Sequence, residues 1–157
     1  MSDTRIEVSR TIQADAERIF DIVRSPQGHV DIDASGMLMG ASGEPVSAIG
    51  DQFVVHMDRE ALGDYPLGLY DVTIEITEFD AGRAIEWTVK GAMKPQIGHV
   101  YGYRLESNPD GSTLVTSYCD WSNIDPVWRE ADIFPIISEG ALKATLGILA
   151  RTTQRSG

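Results

Sequence analysis

Residues able to do chemistry are sparse in this 157-residue sequence, and their spacing restricts what the chemistry can be. Three histidines are present, His29, His56 and His99, with a single cysteine, Cys119. No two of these lie at the short separations that bring ligands onto one zinc ion, so no metal and no other cofactor is expected. His99 is the histidine with the most suggestive surroundings. Alternation places it on one strand face with Tyr101 and Tyr103. A neutral imidazole beside phenols can take or give a proton near pH 7, or it can be a hydrogen-bonded histidine near a strand end. Asp33, with Asp31 and Ser35 in the run HVDIDASG, could orient a ligand hydroxyl or remove an acidic proton. The same residues also serve as loop caps. His99, Tyr101 and Asp33 are therefore the catalytic candidates, joined by Tyr103. There is no GxSxG elbow and no Gly-rich phosphate loop, and Cys119 sits in a strand-like run where a buried, inert thiol is expected.

These side chains need a scaffold, and the hydrophobic pattern supplies one. Residues 5–12 alternate, with Ile6, Val8, Arg10 and Ile12 on one face. Ala16, Ile19, Phe20 and Val23 then form one helical stripe, opened by Asp15 as N-cap and stopped by Pro26. Residues 26–30 suit a second helical turn. A strand is expected over 32–39, another over 52–57, and a loop over 59–68. Tyr70, Val72, Ile74 and Ile76 face one way along the clearest strand, and a turn at Asp80, Ala81 and Gly82 leads to Ile85, Trp87 and Val89. His99, Tyr101, Tyr103 and Leu105 make the next face, the run Asn108-Pro109-Asp110-Gly111 a turn, and residues 113–121 a further strand.

The last element differs in kind. A long helix is expected from near Pro135, with Leu142, Leu146 and Leu149 in one row and Ala141, Ala144 and Ile148 in the next. Gly140 and Gly147 lie on one helical face. They allow either close packing of helix on sheet or room for a ligand. Hairpin-linked strands imply an antiparallel sheet, whose apolar face this helix must cover. The inner faces are bulky and carry polar tips, at Tyr70, Trp87, His99, Tyr101, Tyr103 and Trp121. That composition fits a ligand chamber and also a wide, curved core.

Composition removes several function classes. The formal net charge is −11, which argues against nucleic acid as a partner and against anionic membrane surfaces. No segment has the roughly 20 apolar residues of a membrane span, and the first residues carry no signal-peptide pattern. A cytoplasmic protein is the expectation. One cysteine cannot form an intrachain disulfide.

The segments IEVSRTIQADAERIFDIV, HVDIDASGML, GDQFVVHM, IEITEFDAGRAIEW, GHVYGYRLE and GSTLVTSYCDWS, followed by the long helix, resemble in order and spacing the SRPBCC superfamily of START, polyketide cyclase/dehydrase and birch-pollen-allergen-like proteins. The bacterial polyketide cyclase/dehydrase branch is the most similar. The resemblance runs over nearly the whole chain. It implies one α+β domain, 1–157, with a helix-grip fold: a curved antiparallel sheet of about six or seven strands around a long C-terminal helix, and one or two short helices after the first strand. It also implies a cavity between sheet and helix. The segment from Asp58 to Leu69 departs from the pattern in being longer and more polar, and could cover the chamber mouth.

Three functions are compatible. The first is binding of a small apolar or aromatic molecule, lipid-like or polyketide-like, by Phe53, Val55, Met57, Tyr70, Val72, Ile74, Ile85, Trp87, His99, Tyr101, Tyr103, Trp121, Leu142 and Leu146. The second is a cyclase or dehydratase using the polar members of that set. The third is a stress or interaction protein with an incidental cavity. A homodimer is an open alternative for which no residue pattern argues.

Overall fold

The structure is a computed structural model and describes residues 4–62, 68–92 and 94–155. Strand β1 (Arg5–Ile12) is followed by helices α1 (Ala16–Val23) and α2 (Pro26–Ile32), then by β2 (Leu38–Ser42), β3 (Gln52–Asp58), β4 (Leu69–Asp80), β5 (Ala84–Lys90), β6 (Val100–Ser107) and β7 (Thr113–Asp120). A short helix α3 (Pro126–Ala131) and the long α4 (Glu139–Arg155) close the chain. The strands form one seven-stranded sheet in the order β1-β7-β6-β5-β4-β3-β2, antiparallel throughout. This is the helix-grip arrangement that the sequence predicts.

Local chemistry explains the boundaries. Asp15 accepts from the Arg18 amide at 2.9 Å and opens α1, whose Ile19, Phe20 and Val23 are buried. Pro26 does more than end that helix. It occupies the first turn of α2, capped by Ser25, where a missing N–H costs nothing. The β4–β5 hairpin turns at Gly82, whose φ of +78° a side chain would resist. On the inner face, Phe53, Val55, Val72, Ile74, Ile76, Ile85 and Val115 join Leu142, Leu146 and Leu149 of α4 in one core.

Two expected elements are displaced. The strand placed over 32–39 runs instead from Leu38 to Ser42, because Ile32 is buried as the last residue of α2 and Asp33 terminates that helix. The final helix begins at Glu139 rather than near Pro135, and the Ser138 hydroxyl accepts from the Ala141 amide at 3.0 Å as its cap. Helix α3 is an addition between the last strand and the long helix, where the hydrophobic pattern assigns no element. Within α4, Ala144 is exposed, while Thr145, outside both apolar rows, turns inward. Gly147 lies against β1, since a methyl there would stand 3.6 Å from Arg10 Nη1. That is ordinary van der Waals contact, so packing on β1 does not by itself require a glycine there.

The outer face of the sheet is polar. Tyr118 donates to Glu86 Oε1 at 2.8 Å, and the Arg5 guanidinium lies 4.1 Å from the Tyr118 ring centroid. Further along, Ser42 Oγ, His56 Nε2, His56 Nδ1 and Asp71 Oδ1 are joined by contacts of 2.9 and 2.8 Å. The Asp71 side chain there is 64% exposed, so water competes with each contact.

Candidate ligand-binding site

Between the inner face of the sheet and α4 lies a chamber of about 550 Å³. That volume falls inside the range of small-molecule sites, ~300–1,000 Å³. Strand β3 contributes Val55 and Met57, β4 contributes Tyr70, Val72 and Ile74, and β5 contributes Trp87 and Val89. His99, Tyr101 and Tyr103 come from β6 and the residue before it, Ser117 from β7, and Leu142 and Thr145 from α4. Strand alternation places these side chains side by side: Trp87 pairs with Tyr101 and Ile85 with Tyr103 across the β5–β6 ladder.

Most of the binding residues expected from the sequence border this chamber, as does the catalytic candidate Asp33. Four do not. Phe53 lies beneath the wall against His29, with ring centroids 5.3 Å apart, and Ile85 is 1% exposed in the packed core. Leu146 is buried on the side of α4 that meets β1, beside Ser9, Arg10 and Lys143. Trp121 follows the end of β7, so strand alternation no longer governs it. Its ring stacks on Phe134 at 5.1 Å.

His29 and Arg59 are wall residues that the sequence reading does not single out. His29 projects from α2 and packs on Trp87 at 4.7 Å, and its Nε2–H donates to the Val23 carbonyl at 2.8 Å. Burial lowers its pKa to about 4, so the ring is neutral. Arg59 opens a 3-10 turn, Arg59–Leu62, and is 6% exposed. Nothing in its local sequence distinguishes it from a surface arginine. Residues 63–67, the centre of the segment expected over the mouth, lie outside the described residues.

The polar candidates divide by environment. Asp33 is occupied as a cap: its oxygens accept from the Ser35 amide and hydroxyl and from the Gly36 and Leu38 amides. Its charge nonetheless reaches Tyr103, whose phenol burial and this carboxylate both push upward in pKa. Tyr101 is likewise raised well above the ordinary tyrosine value, first by burial. His99 is 4% exposed, with its pKa lowered to about 4 by burial. Its Nδ1 has no hydrogen-bond partner among the described residues. Tyr101 and Phe134 flank the ring at 5.2 and 5.1 Å. Phenols and a neutral imidazole in an apolar wall can orient a ligand by hydrogen bonds; at pH 7 none carries charge.

One side of the wall is lightly held. Helix α3 has no buried residue. Trp128 borders the chamber and donates from Nε1 to the Pro95 carbonyl at 2.8 Å, and the Asp125 amide donates to the Ile97 carbonyl at 3.0 Å. These bonds tie α3 to the β5–β6 connection. Among the described residues no cluster of three metal-ligating side chains occurs, and no helix is long and apolar enough to cross a membrane.

Residues 3–154 match the model of a family described as polyketide cyclase/dehydrase and lipid transport. No curated protein matches the sequence. Among solved structures, protein MLL2253 from Mesorhizobium loti is 17% identical with a TM-score of 0.66, covering 98% of each chain. Major latex-like protein 151 from Panax ginseng is 13% identical, TM-score 0.60, covering 95% of this chain and 96% of its own. A norcoclaurine synthase point mutant from Thalictrum flavum, in complex with a transition-state analogue, is 12% identical, TM-score 0.63, covering 97% and 94%. At these identities the likeness is one of fold.

Proposed function

Because the chain belongs to the polyketide cyclase/dehydrase and lipid transport family, we propose that it binds a small hydrophobic molecule, lipid-like or aromatic polyketide-like, in the chamber between the sheet and α4. The observation that carries this reading is the chamber itself: about 550 Å³ walled mainly by Val, Ile, Leu, Met and aromatic side chains. Each methylene that leaves water there contributes about 0.8 kcal/mol. His99 and the tyrosines orient the guest without charging the wall.

The test is displacement of an aromatic fluorophore by apolar ligands, together with native mass spectrometry of the purified protein. Val72→Trp, at a buried wall position, is expected to fill the space and abolish binding while the far-UV circular dichroism is unchanged. Undiminished binding by that variant, or no apolar ligand bound by the wild type, overturns the reading.

A second reading draws on the His99 nitrogen that has no hydrogen-bond partner among the described residues and lies beside Tyr101. An imidazole and a phenol on one wall can serve as base and acid toward a polyketide-like substrate. Turnover of such a substrate that survives both His99→Ala and Tyr101→Phe removes these residues from the chemistry.

A further inference from the structure

Three hydroxyls of the chamber wall, those of Tyr103, Ser117 and Thr145, have hydrogen-bonding capacity to spare. Tyr103 is buried, yet its phenol makes no hydrogen bond among the described residues. Ser117 opposes it across the β6–β7 ladder, is buried too, and its hydroxyl is equally without a partner among them. Neither oxygen is sealed in protein, since His99 Nδ1 is the one enclosed side-chain polar atom without a partner among the described residues. Both therefore reach the open space of the chamber. Thr145 Oγ1 accepts from the Ala34 amide at 3.3 Å, which leaves its O–H free to donate.

Tyr103 and Thr145 meet at the end of α2. Ala34 is bonded to Thr145, and the neighbouring Asp33 carboxylate stands close enough to act on the Tyr103 phenol. That carboxylate already accepts from the Ser35 amide and hydroxyl and from the Gly36 and Leu38 amides. It remains a negative charge, and an anion placed beside Tyr103 is repelled by it. Among the described residues the charged side chains of the wall are Asp33 and Arg59, opposite in sign. The Arg59 charge is felt at Tyr101, the previous inward residue of β6. A guest with a full charge gives up its hydration and enters a wall with no net charge.

A purely apolar guest has the converse fault. It covers the Tyr103 and Ser117 hydroxyls and leaves them unbonded, at the cost of burying polar groups without partners. A neutral hydroxyl avoids both penalties, because it can accept from one wall hydroxyl and donate to another.

Building on the hydrophobic-ligand reading, we infer that the chamber takes an uncharged guest with a hydroxyl on an aromatic body, the hydroxyl seated at Tyr103 with Thr145 as its second contact. The body lies against Val72, Ile74 and Trp87, whose ring is 5.7 Å from that of Tyr103.

The experiment is calorimetric titration of the full chain at pH 7 with 2-naphthol, naphthalene and 2-naphthoate, which share one ring system and differ in the head. 2-Naphthol is expected to bind about fivefold more tightly than naphthalene, the scale of one neutral hydrogen bond. 2-Naphthoate is expected to bind more weakly than 2-naphthol, on the order of tenfold. Tyr103→Phe keeps the ring, removes the hydroxyl and is expected to close the gap between 2-naphthol and naphthalene. Thr145→Val is expected to narrow it. Should Tyr103→Phe fail to fold, the wild-type ranking and Thr145→Val still decide. Equal binding of 2-naphthol and naphthalene, tightest binding of 2-naphthoate, or a gap that either variant leaves unchanged overturns the seated hydroxyl and leaves the hydrophobic chamber standing. Binding of none of the three overturns both.

Discussion

Gly102 and Tyr118 face each other across the β6–β7 ladder, and the Tyr118 ring occupies the space that a side chain at 102 would need. The ring is held from its other side by Arg5 and through its hydroxyl by Glu86, so it has no easy retreat. Gly102→Ala is therefore expected to destabilise by about 1–3 kcal/mol, the usual scale of overpacking. Urea unfolding measures it. The same change in a Tyr118→Ala background should cost clearly less, because the obstructing ring is gone. Equal costs in both backgrounds contradict the close approach.

Stability should fall with acid before the carboxylates titrate. His29 and His99 are held neutral by burial, each with a pKa lowered to about 4. The unfolded chain takes up those protons near pH 6.5. Between the two values the unfolded state binds more protons, so stability rises with pH. The contribution is complete above about pH 6.5 and is lost progressively toward pH 4, by up to ~3 kcal/mol for each histidine. Unfolding midpoints at pH 7.5, 5.5 and 4.5 measure it, and a flat profile contradicts two neutral buried rings.

Trp128→Phe should speed ligand exchange more than it weakens binding. The substitution keeps an aromatic ring beside the chamber and removes the 2.8 Å bond to Pro95, worth about 1 kcal/mol. Helix α3, with no buried residue, belongs to the part of the fold that opens at least cost. Stopped-flow dissociation of a bound fluorophore is expected to accelerate about fivefold. An unchanged rate places the route of exchange elsewhere.

Cys119 should resist thiol reagents in the native state. It is fully buried opposite Tyr101, and burial pushes its thiol up to about 12, so almost no thiolate exists at pH 8. Labelling with a disulfide reagent is expected to follow global unfolding and to become rapid in urea. Fast labelling of the folded protein contradicts that burial.

The sequence was informative wherever one face of an element is buried and the other wet. The β4 alternation of Tyr70 through Ile76 and the α1 stripe of Ile19, Phe20 and Val23 both follow from that contrast. Helix α3 lacks the contrast because none of its residues is fully buried. Its sequence cues were the Asp125 cap and Pro126 in the first turn, signals that periodicity does not weigh. Leu146 shares a row with Leu142 but not its surroundings, because α4 meets β1 at one residue and the chamber at the other. The strand part of the wall was largely legible because alternation assigns a strand's inward side chains. Arg59 and His29 were not, because they enter from the 3-10 turn and a short helix, where no period indicates direction.

The chamber has a consequence for solvation. Its space of about 550 Å³ is partly open to solvent, and its mainly apolar wall offers water few hydrogen bonds, so binding a guest there exchanges poorly held solvent for packing contacts. A guest is then a structural part of the interior: it supplies the contacts that Val72, Ile74 and Trp87 otherwise lack on one side.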